Sequence, residues 1–290
     1  MTANWTILKL IRWTSDYFAG KGVGTPRLDA ELLLAHVLEM DRTHLYMNFD
    51  KPVLKTELSA FKELVKRRAK GEPLQYITGC QEFWSVKIMV DPSVLIPRPD
   101  TELLVEEGIR EINKSFAKEE FVEILDMGTG SGALAIAFAA ELKKARITAV
   151  DKSKKAVMTA EKNIEAHALS SNITVLEGDL FGGQADKTFH LIVSNPPYIP
   201  TGKLDDLQTE IKDYEPLSAL DGGEDGLDYY RIIVPDSRGH LKSGGWLMVE
   251  HGEGQSEEVR DIFKKTGYYE SIEALKDLSG IYRVVKGRSV

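Results

Sequence analysis

The chain has 290 residues, 42% hydrophobic and 28% charged, with a formal net charge of −8, a length expected to divide into two domains. No apolar run reaches the roughly 20 residues that cross a bilayer, and "MTANWTILKLIRWTSDYF" alternates at helical spacing, unlike a signal peptide, so a cytoplasmic location is expected. Cys80 is the single cysteine, which excludes an internal disulfide; the six histidines have no partners at metal-ligand spacing, and the acidic balance argues against a whole-surface grip on nucleic acid.

Residues 1–73 read as a helical domain. "ILKLIRWTSDYF", "PRLDAELLLAHVLEM" and "KTELSAFKELVKRRAKG" carry apolar residues three and four apart, with Pro26 near one start and Gly71 beyond one end. The basic run Lys66 to Lys70 fits a solvated helix face, or contact with a partner or ribosomal RNA. Residues 74–97 change period: "QYITGCQEFWSVKIMV" predicts a hairpin linker of two short strands turning at Gly79, followed by a proline-stiffened connector.

Residues 98–290 then alternate. After the helix in "TELLVEEGIREI" come strand "FVEILDM", helix "GALAIAFAAEL", strand "ARITAVD", helix "KKAVMTAEKNIEAH", and strands "NITVLEGD" and "FHLIVSN". Continuous apolar strands separated by helices predict a mostly parallel, doubly wound α/β sheet. "GGWLMVEH" adds a strand, and "YYESIEAL" with "GIYRVVKG" is too closely spaced for a crossover helix, so that pair is expected to be antiparallel. The acidic segment Asp205 to Asp228, with Gly222, Gly223 and Gly226, suits either a mobile lid or an ordinary loop.

"DMGTGSG" sits between a strand and a helix. Gly128, Gly130 and Gly132, with Thr129 and Ser131, allow a sharp turn and close approach of a ligand to helix-start amides. Asp151 ends the next strand about 20 residues on, where a carboxylate accepts ribose hydroxyls; alone it would serve equally as a helix cap. Together these features predict an adenosine-containing cofactor. "GTGSGA" also satisfies the dinucleotide pattern, so an NAD enzyme stays open here. Asp179 in "GDLF" is placed to accept from an adenine amino group, with Leu180 or Phe181 over the ring; otherwise Asp179 caps a turn and Phe181 is core.

"SNPPY" follows the fourth strand, at the carboxyl end of the sheet where ligands bind. The Asn195 side-chain oxygen and the Pro196 carbonyl are two acceptors suited to an –NH₂ group, Pro196 and Pro197 hold the backbone still, and Tyr198 offers a ring to stack on a flat group. This pattern points to in-line methyl transfer from a sulfonium to a conjugated amino nitrogen, without metal or covalent intermediate.

"DMGTGSG", "VD", "GDLF" and "SNPPY" resemble the AdoMet-dependent amino-methyltransferases, and Asn-Pro-Pro-Tyr is shared by adenine-N6 and glutamine-N5 enzymes. "PLQYITGCQEFWSVKIMVDPSVLIPRPDTELLVE", "EPLSALDGGEDGLDYYRIIV" and "GGWLMVEHGEGQ" look like the release factor glutamine methyltransferase family, called HemK or PrmC, over nearly the whole chain. The resemblance implies a seven-stranded, Rossmann-like methyltransferase domain behind a small helical substrate-recognition domain. It implies S-adenosyl-L-methionine (AdoMet) as cofactor, S-adenosyl-L-homocysteine as product, and as substrate the glutamine of the Gly-Gly-Gln motif in peptide chain release factors. Gly128 to Gly132 and Asp151 would bind AdoMet, Asn195 would border the cofactor and with Pro196, Pro197 and Tyr198 form the pocket for the glutamine amide, and Arg98 with Pro99 would border both ligands. Many relatives carry an aromatic residue where Leu180 stands and an arginine before "EP", where this chain has Asp213 and Tyr214. The alternatives are an adenine-N6 methyltransferase, for which the acidic charge supplies no groove, and a non-catalytic binding module. A monomer is expected. Gly182-Gly183-Gln184 repeats the tripeptide methylated in the substrate, and a turn accounts for it without function.

Overall fold

The computed structural model describes residues 5–182 and 187–290, so Gly183 and Gln184 of the Gly-Gly-Gln tripeptide lie outside the described residues. The chain divides into two compact units, Met1–Gly79 with Gln208–Tyr214, and Cys80–Leu207 with Glu215–Val290. No helix among the described residues is long and apolar enough to cross a membrane.

In the first unit, helices Ile7–Ala19, Pro26–Val37 and Lys55–Arg68 follow the helical periodicity of the sequence, and a further short helix, Arg42–Met47, lies outside the segments that show it. Thr6 and Asp41 start two of them by accepting from the backbone N–H groups of Lys9 and His44. Ile7, Leu10, Phe18, Leu33, Leu34 and Phe61 form the core. Arg68 departs from the solvated-face expectation for its basic run: it is 6% exposed, and it pairs with Asp29 at 2.6 Å and with Glu210 at 2.7 Å. Glu210 belongs to a short helix, Thr209–Lys212, within the acidic segment.

The linker differs from expectation. Leu74–Thr78 is a helix behind Pro73, and Gly79 ends it in the left-handed conformation, φ 75°. Tyr76 and Ile77 are buried there, so packing outweighs the β propensity of "QYIT". The hairpin comes later, β1 (Cys80–Phe83) with β2 (Val86–Met89), turning at Trp84 and Ser85. Both turn residues have positive φ, 51° and 58°. The Trp84 backbone N–H donates to Glu102 and its indole N–H to Glu141, which holds a turn that side chains disfavour.

The second unit is built on a seven-stranded sheet: β3 (Val122–Met127), β4 (Ala145–Asp151), β5 (Ile173–Glu177), β6 (Phe189–Ser194), β7 (Leu241–Glu250), β8 (Tyr269–Lys276) and β9 (Tyr282–Ser289), in the order β5-β4-β3-β6-β7-β9-β8. The first five are parallel, and β9 runs antiparallel to both β7 and β8, as the short connection requires. All six residues of β6 are buried, and each fully buried Leu, Ile or Val there contributes about 1.5–3 kcal/mol. Order reverses between β3 and β6. That switch opens a crevice at the strands' carboxyl ends.

Candidate active site

Strand register decides which side chains meet at the crevice. Met127 lies opposite Val150 on one side and opposite Ser194 on the other, and the Ser194 hydroxyl donates to the Met127 carbonyl at 2.8 Å. The residues that follow, Gly128, Asp151 and Asn195, therefore emerge side by side. Gly128, Gly130 and Gly132 all have positive φ, 73°, 55° and 82°, a conformation costly for any side chain. At Gly128 and Gly130 an added Cβ would meet nothing within 4 Å, so backbone geometry, not crowding, requires glycine there. The helix Ala133–Glu141 begins directly after, which aims its first amides toward the crevice.

Asp151 ties this loop to β4. One carboxylate oxygen accepts from Gly130 N at 2.9 Å and the other from Ser153 N at 2.8 Å. Each oxygen keeps a further lone pair for a ligand hydroxyl. Beneath the loop, Asp126 is fully buried and accepts from Thr129 Oγ1 at 2.6 Å and Ala135 N at 3.2 Å. Burial pushes its carboxyl up to about 7 against those hydrogen bonds, and its Oδ1 has no partner.

Above Asp126, the loop and the strand ends line a cleft with about 1040 Å³ of empty space, partly open to solvent. Gly128 to Ser131, Asp151, Asp179, Leu180, Asn195, Pro196, Pro197 and Arg98 all border it; Gly132 closes the loop against Ala160. Phe181 does not border it: it stacks on His240, ring centroids 4.4 Å apart, and packs on the core. Leu180 borders the cleft at a positive φ of 49°. A cleft with open backbone on one wall, carboxylates at Asp151 and Asp179 and an apolar Leu180 fits an adenosine-bearing group.

Tyr198 is not among the residues that border the cleft. Its ring packs on the core beside Gly252, and burial pushes its phenol well above the usual range. Gln255 clamps its backbone: Gln255 Nε2 donates to the Tyr198 carbonyl at 2.9 Å, while Gln255 Oε1 accepts from Gly252 N at 2.8 Å. Gly222 and Gly226 press on the same turn, where a Cβ would collide with the Pro197 and Tyr198 backbones. Those glycines serve close packing, which the lid expectation did not foresee.

Three further residues, Thr101 on the cleft wall and Glu215 and Glu250 behind it, hold residues that line the cleft and were not singled out in the sequence. Glu215, 6% exposed, pairs with Arg98 at 2.5 Å and accepts from Ile96 N at 3.4 Å. Thr101 Oγ1 accepts from Asn195 Nδ2 at 3.1 Å. Glu250, the last residue of β7, is 2% exposed, and burial pushes its carboxyl up to about 7; hydrogen bonding from Thr101 pulls it back, Asp100 pushes it up, and Arg283 and Asn195 pull it down. The signal for Glu250 was a carboxylate closing the strand "GGWLMVE" at the same edge as Asn195.

Residues 9–79 match the PrmC N-terminal domain family and residues 103–211 the methyltransferase small domain family. The chain is 50% identical to the release factor glutamine methyltransferase of Geobacter sulfurreducens, over 98% of this chain and 97% of that one. It is 42% identical to the protein of that name from Rhodopirellula baltica, over 97% and 95%. A methyltransferase structure from Pyrococcus furiosus superposes with a TM-score of 0.51 at 19% identity, over 70% of this chain and 88% of that one, a likeness of fold.

Proposed function

The chain belongs to the release factor glutamine methyltransferase family, and on that premise we propose that it methylates the N5 amide nitrogen of the glutamine in the Gly-Gly-Gln motif of peptide chain release factors, with AdoMet as methyl donor. When bound, AdoMet supplies a methyl group on a sulfonium and is left as S-adenosyl-L-homocysteine. Gly128 to Gly132 offer backbone amides to its polar end, Asp151 accepts from its ribose, and Asp179 with Leu180 borders its base. The reading is carried by one observation: the glycine loop, Asp151 and Asn195 share one cleft because Met127, Val150 and Ser194 are in register.

Asn195 Oδ1 and the Pro196 carbonyl accept the two N–H bonds of the substrate amide, drawing electron density toward its nitrogen. Pro196 and Pro197 hold those acceptors in place without an ordering cost in each cycle. Tyr198, its ring set in the core instead of over the amide, anchors the turn that carries Pro196 and Pro197, and Arg98, fixed by Glu215, borders the peptide. As it gains the methyl group the nitrogen gives one proton to water at the open side of the cleft, with no covalent enzyme intermediate. Residues 1–73 recognise the release factor, residues 74–97 link, and residues 98–290 carry the chemistry, in a cytoplasmic monomer. The test is to incubate the protein with labelled AdoMet, purified release factor and a DNA duplex, and to locate the label by mass. Label on the Gly-Gly-Gln glutamine is expected; label on DNA alone would overturn the reading.

A further inference from the structure

Behind the Asn195 carboxamide lies a relay. Asn195 Nδ2 donates to Thr101 Oγ1 at 3.1 Å, and Glu250 lies beside both side chains and draws on each; a hydroxyl that accepts from Asn195 keeps its own hydrogen to donate onward to that carboxylate. Ser194 pairs with Val249 in the sheet, which brings Glu250 alongside Asn195. Glu250 is buried, and its Oε2 has no partner. The charged and titratable groups around it are Asp100 and Arg283, themselves paired at 3.2 Å, together with Tyr198 and Tyr230, the latter donating to the Glu250 carbonyl at 2.8 Å. His251, next in the chain, turns its Nδ1 to the Gly252 carbonyl.

A carboxylate can only accept. With Glu250 ionised the relay has one polarity, from the Asn195 N–H through the Thr101 hydroxyl to Glu250, and the Asn195 oxygen faces away from Thr101. A protonated Glu250 can donate to Thr101, whose hydrogen then goes to the Asn195 oxygen and favours the flipped amide. A flipped amide presents donors to a substrate –NH₂, the wrong polarity for binding it.

We propose that Glu250, beside Asn195 and linked to it through Thr101, is the positioning residue that keeps the Asn195 oxygen turned toward the substrate amide; this rests on the reading that Asn195 accepts the glutamine N–H. Ionised Glu250 also draws on the Asn195 N–H and so enriches its oxygen as positive charge develops on the attacking nitrogen. The relay acts on turnover, because AdoMet is held by the glycine loop and Asp151.

The experiment measures kcat and the KM for AdoMet from about pH 5 to 9 on purified release factor. Wild-type kcat is expected to rise through about 7 as Glu250 loses its proton. Thr101→Val and Glu250→Gln are each expected to lower kcat above that point by about tenfold and to flatten the rise, with the KM for AdoMet unchanged. Thr101→Ser, which keeps the hydroxyl, should restore both. Should Glu250→Gln not fold, the Thr101 pair decides alone. Wild-type kcat in Thr101→Val, or an unaltered rise in these variants, overturns the relay; Asn195→Ala then separates the two claims. If Asn195→Ala abolishes transfer, the proposed function survives the loss of the relay. If it turns over normally, the reading of Asn195 falls as well.

Discussion

Buried charges are treated in opposite ways at two places in this molecule. In the helical unit, Asp29 and Arg68 face each other at 2.6 Å, and Glu31 meets Arg27, Arg42 and the Tyr46 hydroxyl between 2.7 and 2.9 Å. At the carboxyl ends of β3 and β7, Asp126 and Glu250 are buried with one oxygen each left without a partner, and burial pushes both carboxyls up to about 7. Paired charges fix one packing. Carboxyls left short of partners at a strand end retain capacity for a ligand or a proton, which suits a site and does little for stability.

The largest effect should come from breaking the paired kind. Arg68→Met leaves Asp29, 2% exposed, without its cation, and is expected to cost about 3–5 kcal/mol in urea denaturation. A loss below about 1 kcal/mol would mean the helical unit does not depend on that pair.

Next in size is Asp151→Ala. It removes the carboxylate that holds Gly130 N and Ser153 N, and AdoMet binding should weaken by about 1–3 kcal/mol in titration calorimetry. Unchanged affinity would take Asp151 out of the site.

An effect opposite in sign is expected from Asp126→Asn. Because the folded carboxyl is raised from 3.8 to about 7, its contribution to stability is full below the lower value and is lost as pH rises through the upper one. Above neutrality the variant should therefore unfold at higher temperature than wild type, and the gap should close in acid. A variant less stable at every pH would show that the charged Asp126 is favourable, and the contrast with Arg68 would fail.

Much of the site could be read along the chain because its parts follow strands. Gly128, Gly130, Gly132, Asp151 and Asn195 each sit where a hydrophobic run stops, and a parallel sheet brings such endings to one edge. Glu250 was passed over although it closes a hydrophobic run, since its approach to Asn195 depends on the pairing of β6 with β7, strands separated by more than 40 residues; Thr101 gave no signal, because it precedes the sheet and reaches Asn195 only through the fold. Leu74–Thr78 was misread as strand because five residues are too few to display a helical period, and burial of Tyr76 and Ile77 decided the outcome. Gly222 and Gly226 suggested mobility, yet the backbone of Pro197 and Tyr198 lies against them, a contact that composition cannot reveal.

The central claim is that Asn195 receives the substrate amide and is dispensable for holding AdoMet. Calorimetry of AdoMet binding and turnover on release factor, measured together for Asn195→Ala, test it most directly. Retained affinity with methyl transfer lowered by about a hundredfold or more is the expected result; lost affinity at unchanged turnover would contradict it.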